Sequence, residues 1–258
     1  KMSEWNTEIT SIKLNEILVR GYAVEEMMGK LSYAETVYLI LKGELPSKEE
    51  GIVFQAAIVS SIDHGVTPPS ALATMNATST GAPLNAAVAS GILAINKSHG
   101  GAIEDSMKFF IEAGDFCGKV LDEPKVTEFI NKKLESKYRF PGLGHRVHTE
   151  DPRSTKLAEI CFENLTEEKL FYIKLAKMIE KKIFEIKGTK LPVNVDGMIG
   201  AVLLALDIPG ELANGIFMIS RVPGLIAHYY EEKKTQKPMR NIDQKSAVYT
   251  GKERRSIK

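Results

Sequence analysis

Two segments of this chain, Ser32-Tyr33-Ala34-Glu35 and Pro46-Ser47-Lys48-Glu49-Glu50, pair a hydroxyl with a carboxylate three residues further on. That is the reciprocal capping pattern of a helix start, in which each side chain satisfies the other residue's free amide. An apolar run follows each one. Val37, Leu39, Ile40 and Leu41 follow the first, which Lys42-Gly43 ends. The second opens a helix predicted to bury Ile52, Val53, Ala56, Ile58 and Val59. Asn164 with Glu167 predicts the cap of a long amphipathic helix, whose Leu170, Ile173, Leu175, Met178, Ile179, Ile183 and Ile186 recur at helical spacing. Strand signals are thin: only Leu191–Val195 predicts a short extended run. Gly and Pro punctuate Gly81–Pro83, Pro141–Gly144 and Pro209–Gly210, with no repeat or long linker between them. The chain reads as mostly α.

With 258 residues, 43% of them hydrophobic, the chain has material for one large domain or two modest ones. Its net charge of +1 supplies no field to attract nucleic acid or a membrane surface. The longest uncharged stretch, Gly65 to Asn96, is too rich in Thr, Ser, Pro and Asn to span a bilayer. Cys117 and Cys161 lie far apart and form no metal or disulfide pattern, so reduced thiols and a soluble, cytoplasmic protein are expected.

Chemistry concentrates in a few places. His99 follows the apolar Ile92, Leu93 and Ile95 and precedes Gly100-Gly101, which let a ligand or backbone approach closely. Its imidazole could serve a carbonyl oxygen; a helix C-cap with Gly100 as the stop accounts for the same residues. Phe140-Pro141-Gly142-Leu143-Gly144-His145-Arg146 predicts a tight loop with exposed amides, followed by Asp151-Pro152-Arg153. A guanidinium there suits a carboxylate ligand; a structural turn with a surface arginine is the plainer alternative. Asp196, between Leu191–Val195 and the apolar Met198–Leu206, is expected to be partly buried and therefore more basic, or else to N-cap a helix starting at Gly197. His64 sits in Asp63-His64-Gly65 at the end of the second capped helix, where a cap role would also serve. Arg221 lies on an apolar helix, a costly place for a charge unless an anion meets it. Arg240 follows Lys237-Pro238-Met239, and no phosphate loop, zinc motif or dinucleotide fingerprint is present.

Pro141–Arg146 with Asp151-Pro152-Arg153 resembles the citrate synthase signature, and His99-Gly100-Gly101, Asn194-Val195-Asp196-Gly197 and Ser220-Arg221 fall in that family's order. Arg20-Gly21-Tyr22 to Gly43-Glu44-Leu45-Pro46 resembles the family's N-terminal part. Between Pro46 and Asp63-His64 there is room for one helix only, where full citrate synthases carry a large helical insertion. This short form resembles citryl-CoA lyase and the C-terminal citryl-CoA-cleaving module of ATP-citrate lyase. Asn214-Gly215-Ile216-Phe217 and Ile226-Ala227-His228-Tyr229 add to that likeness.

The resemblance implies an all-α, citrate-synthase-like fold with an interdomain active-site cleft. Residues 1–100 and 206–258 would form the large, dimerising domain, and residues 101–205 the small, CoA-binding one. It implies a lyase that cleaves citryl-CoA to acetyl-CoA and oxaloacetate, with His99, His145 and Asp196 catalytic. His64, Arg153, Arg221 and, across a dimer, Arg240 would hold the oxaloacetate part. Phe140, Gly142, Leu143, Gly144, Arg146, Lys190 and Asn194 would hold coenzyme A. No permanently bound cofactor or metal is implied; coenzyme A arrives in the substrate and leaves in the product. A homodimer or higher homo-oligomer is expected, along with a separate citryl-CoA synthetase as metabolic partner. Citrate or 2-methylcitrate synthase shares the same carbon chemistry and is the first alternative. A non-catalytic acyl-CoA-binding subunit is the second, and the joint presence of His99, His145 and Asp196 argues against it.

Overall fold

The structure, a computed structural model, describes residues 5–144, 150–241, 243, 245, 247, 248, 250–254 and 256. His145 and Arg146 lie outside the described residues. The chain opens with strands β1 (Thr10–Lys13), β2 (Glu16–Val19) and β3 (Tyr22–Ala23), an antiparallel sheet in that order. The sequence reading did not include this sheet. Its apolar residues Ile12 and Ile17 are exposed, so burial leaves no alternating pattern to read. Turn chemistry marks it instead: Arg20 and Gly21, between β2 and β3, both have positive φ (49° and 86°), as a two-residue hairpin requires. Arg20 then donates from Nε and Nη2 to the carbonyl of Ile40 (3.2 and 2.9 Å), which ties the hairpin to the helix beyond.

Eleven α-helices follow among the described residues: α1 (Val24–Met27), α2 (Tyr33–Lys42), α3 (Lys48–Ser60), α4 (Pro69–Ser79), α5 (Leu84–Leu93), α6 (Ala102–Phe116), α7 (Glu123–Glu135), α8 (Pro152–Asn164), α9 (Phe171–Lys187), α10 (Val195–Ala205) and α11 (Ala213–Thr235). Both capping boxes form as read, at Ser32/Glu35 and Ser47/Glu50. The predicted buried face of α3 is rotated. Val53, Phe54, Ala57 and Ile58 are buried, whereas Ile52 and Val59 are exposed. Asn164 does not open a helix. It ends α8, donating from Nδ2 to the carbonyl of Ile160, and α9 starts at Phe171 without a side-chain cap. Ile173, Leu175, Ile179 and Ile183 do form the inner face of α9; Ile186, in its last turn, is exposed.

α10 is the core helix. Apart from Asp196 in its first turn it is apolar, nine of its eleven residues are buried, and it packs against α6, α8 and α9. Where α6 crosses, Gly200 allows the approach: a Cβ there would stand 3.2 Å from the carbonyl of Ile103. Because α10 begins at the centre of the packing, the residues at its N-terminus are held by the core.

Candidate active site

The loop before His145 and the segment before α10 are bonded into one unit. Gly144 N donates to Pro192 O (2.7 Å), Asn194 N to Gly142 O (3.0 Å), and Asn194 Nδ2 to Gly144 O (2.8 Å). Leu143 and Val193 pair across as a single antiparallel bridge, the extent of the extended run read at Leu191–Val195. Gly142, at φ +73°, has no room for a side chain, because a Cβ would lie 2.3 Å from Ser106 Oγ and 2.5 Å from the Gly197 Cα. Asn194 Oδ1 accepts from Gly197 N (3.1 Å), so Asn194 is the cap of α10, and Asp196 stands in the first turn rather than capping.

Asp151 locks α8 to this unit. Its buried carboxylate caps α8, accepts from Arg153 N (3.1 Å), Arg153 Nε (3.0 Å) and Arg153 Nη2 (2.9 Å), and takes the amide of Val195 (3.0 Å). Burial pushes its pKa up, but these donors and the Arg153 charge outweigh it and hold the group below its ordinary value. Asp196 has the opposite balance. Burial raises its pKa, and the opposing pull of Arg153 and Arg221 does not cancel that.

On the other side, His99 is held in a tight turn by paired backbone bonds with Asn96 (2.8 Å each). α5 already ends at Leu93, so the C-cap alternative does not apply. His99 Nε2 lies 2.8 Å from Ser70 Oγ, and its ring meets the Phe217 ring edge-on at 5.7 Å. Arg221 stacks on the same Phe217 at 5.0 Å. Gly100, at φ +80°, fits under Phe217, where a Cβ would come within 2.8 Å of the ring. Burial, then the Arg221 charge, lowers the His99 pKa, so the imidazole is neutral at neutral pH.

Arg221 is 3% exposed, and its Nε donates to Ser61 O (3.0 Å). Its Nη1 is buried without a hydrogen-bond partner among the described residues. Such an orphaned donor on a cation costs free energy unless an anion meets it. The Arg221 charge acts on both His99 and Asp196, lowering the pKa of the imidazole and opposing the burial that raises that of the acid.

The remaining predicted residues fall in varied places. His64 is exposed, beyond the end of α3 at Ser60, in a turn closed by Gly65 N donating to Asp63 Oδ2 (2.8 Å). The Arg153 fork is engaged by Asp151. Arg240 pairs with Glu232 of its own chain, and Lys190 is exposed. The Phe140 ring is buried against Phe109 and Tyr138 at 5.7 and 5.8 Å, a core position. Ser70 is not named from sequence, and Phe217, Asp151, Asp63 and His228 enter there only within motifs, with no role of their own. Asp151 had a readable signal, since an Asp before Pro at a helix start is a cap; Ser70 had none.

An α-helical chain with a neutral imidazole, a half-buried acid of raised pKa and a guanidinium that has one orphaned donor and whose charge reaches both of the others has the equipment of an acid–base protein for anionic carbonyl compounds. It belongs to the citrate synthase family: residues 2–61 and 50–241 match the profile of the citrate synthase C-terminal domain. The chain is 40% identical to citryl-CoA lyase from Hydrogenobacter thermophilus, with a TM-score of 0.88, over 98% of this chain and 97% of that one. It is 32% identical to citrate synthase of Haloferax volcanii over 90% of this chain and 59% of the relative. It is 27% identical to ATP-citrate synthase beta chain protein 1 of Arabidopsis thaliana over 93% of this chain and 39% of that relative's length. It thus spans less than two thirds of these two relatives' length. Among the described residues no helix is long and apolar enough to cross a membrane.

Proposed function

We propose that this chain cleaves citryl-CoA to acetyl-CoA and oxaloacetate by a retro-Claisen reaction. The observation that carries the choice of lyase is the 40% identity to a citryl-CoA lyase across nearly the whole of both chains. In this reading His145, which lies outside the described residues, takes the proton from the tertiary hydroxyl. The carbon–carbon bond then breaks, its electron pair leaves with the acetyl carbon, and the alkoxide becomes the ketone of oxaloacetate. The neutral His99 donates to the thioester oxygen as enolate charge develops. Protonated Asp196 delivers a proton to the terminal carbon and completes acetyl-CoA; its raised pKa supports that task.

Arg221 Nη1, with His64 and Arg153, receives the carboxylates of the oxaloacetate part. The amides and glycines of 142–144, with Asn194, line the approach of coenzyme A. Residues 101–205 act as the small domain and close on the rest, with Arg240 serving a second copy's site once released from Glu232. A citryl-CoA synthetase supplies the thioester.

The test is incubation of the protein with synthetic citryl-CoA. Acetyl-CoA and oxaloacetate in equal amounts are expected. Free coenzyme A with citrate, at a turnover rate, would instead assign the synthase activity that the haloarchaeal relative's name carries. Binding of coenzyme A with neither product would assign the acyl-CoA-binding role.

A further inference from the structure

One face of α11 holds the turn that presents His64. Ser220 Oγ donates to Ile58 O, and Ser61 Oγ donates to Ser220 Oγ (2.9 Å). Arg221 Nε holds Ser61 O. One turn further on, Gly224 lets the backbone through: a Cβ there would lie 2.6 Å from Ile62 O and 2.8 Å from Asp63 Oδ1. The next turn places His228, 8% exposed, with Nε2 at 2.9 Å from Asp63 Oδ1. The other oxygen of Asp63 accepts from Gly65 N, and the His64 amide donates to the same carboxylate. Asp63 is thus a hub. It wraps the backbone around His64 and is itself anchored to α11 by one imidazole. Burial works against its charge, but these donors outweigh that and keep it ionised, so His228 Nε2 carries the proton and donates.

From this clasp we propose that His228, through Asp63, is a positioning residue that fixes the distance between His64 and Arg221, and with it the fit of a four-carbon keto-dicarboxylate. Arg221 and His228 lie on one helix, on either side of Pro223, whereas His64 sits on an exposed turn. The bonds of Ser61 tie the start of that segment to the helix, and the Asp63–His228 bond ties it again next to His64. Without His228 the turn keeps its local bonds and loses its register against Arg221. The inference rests on the reading that His64 and Arg221 receive the oxaloacetate carboxylates. It does not depend on whether the chain runs as lyase or synthase.

The experiment is titration of the purified protein with oxaloacetate and, separately, with acetyl-CoA, for wild type, H228L, H228Q and D63N. A displaced turn costs up to about a hundredfold in fit. The expected result is an oxaloacetate dissociation constant raised about tenfold or more in H228L and D63N, with acetyl-CoA binding unchanged. H228Q, whose side-chain amide reaches Asp63 as a donor, recovers most of the loss. The proposal is overturned if H228L binds oxaloacetate as wild type does, if H228Q is no better than H228L, or if both ligands weaken equally. Wild type that binds no oxaloacetate overturns it together with the functional reading. Oxaloacetate binding that depends on His228 in a protein that does not cleave citryl-CoA overturns the lyase reading alone. Should H228L fail to fold, D63N, which keeps the side chain's shape and removes its charge, decides by the same split.

Discussion

The carbonyl of Gly142 rests directly against the backbone of Gly197, so closely that a Cβ on Gly197 would lie 2.2 Å from that oxygen. This contact joins the loop that leads to His145 with the first turn of α10, which carries Asp196. Neither glycine is a hinge; each is the absence of a side chain at a crossing.

Gly197→Ala is therefore expected to push the loop off α10. Overpacking at a rigid backbone contact costs about 1–3 kcal/mol. Turnover of citryl-CoA is expected to fall further than the stability loss alone accounts for, because the loop of residues 142–144 is displaced from the helix turn that carries Asp196. Gly215→Ala, at a helical glycine with open space around it, is the control and should leave turnover unchanged and stability the same or raised by up to about 1 kcal/mol. Chemical denaturation and turnover measured on both variants check this.

The helices and the motif residues were legible because capping boxes, apolar spacing and clustered glycines are local signals. Ser32/Glu35 and Ser47/Glu50 formed as read for that reason. What was hidden depends on partners distant in sequence. Nothing near Ser70 announces that His99 will be its neighbour, and nothing near His228 points to Asp63. The N-terminal sheet escaped because Ile12, Ile17 and Tyr22 are exposed and no residue in its strands is fully buried, and periodicity reads burial, not pairing. Asn164 misled because Asn suits both ends of a helix, and its side chain here closes α8. Phe140 was grouped with its loop, but the aromatic partners Phe109 and Tyr138 that draw its ring inward come from elsewhere in the chain.

Asp151→Asn should loosen two elements at once. The buried carboxylate accepts four donors, and an amide in its place turns an NH2 group toward some of them. A loss of about 1–3 kcal/mol at pH 7 is expected. The folded pKa of Asp151 lies below the unfolded value near 3.8. Its contribution is therefore complete above that pH and disappears as pH falls through the folded pKa. The gap between wild type and variant, measured by urea unfolding, should narrow steadily as pH drops below 3.8.

Asp196→Asn should separate stability from function. A carboxyl whose folded pKa is raised above 3.8 favours folding only while protonated, and ionising it in its buried seat costs stability as pH rises through the folded value. The variant removes that cost. It should unfold at a higher temperature than wild type at neutral pH, converge with it below pH 3.8, and lose about a hundredfold or more in turnover. A variant that is less stable at neutral pH would show that the carboxylate's contacts outweigh its burial.

His99 and Ser70 should differ in degree, not in kind. For His99 Nδ1 to carry a proton toward a thioester oxygen, a neutral ring must leave Nε2 bare, and the Ser70 hydroxyl 2.8 Å away must donate to it. His99→Ala removes the donor, and a loss of about 100- to 1000-fold in turnover is expected. Ser70→Ala keeps the imidazole between its turn and the edge of Phe217 but frees the choice of tautomer. The expected loss is about tenfold, confined to turnover, with the oxaloacetate dissociation constant unchanged. Imidazole nitrogen shifts read by NMR at neutral pH should show Nδ1 protonated in wild type and a tautomer mixture in Ser70→Ala. Protonation at Nε2 in the wild-type protein would reverse the hydrogen bond and remove His99 as the donor through Nδ1.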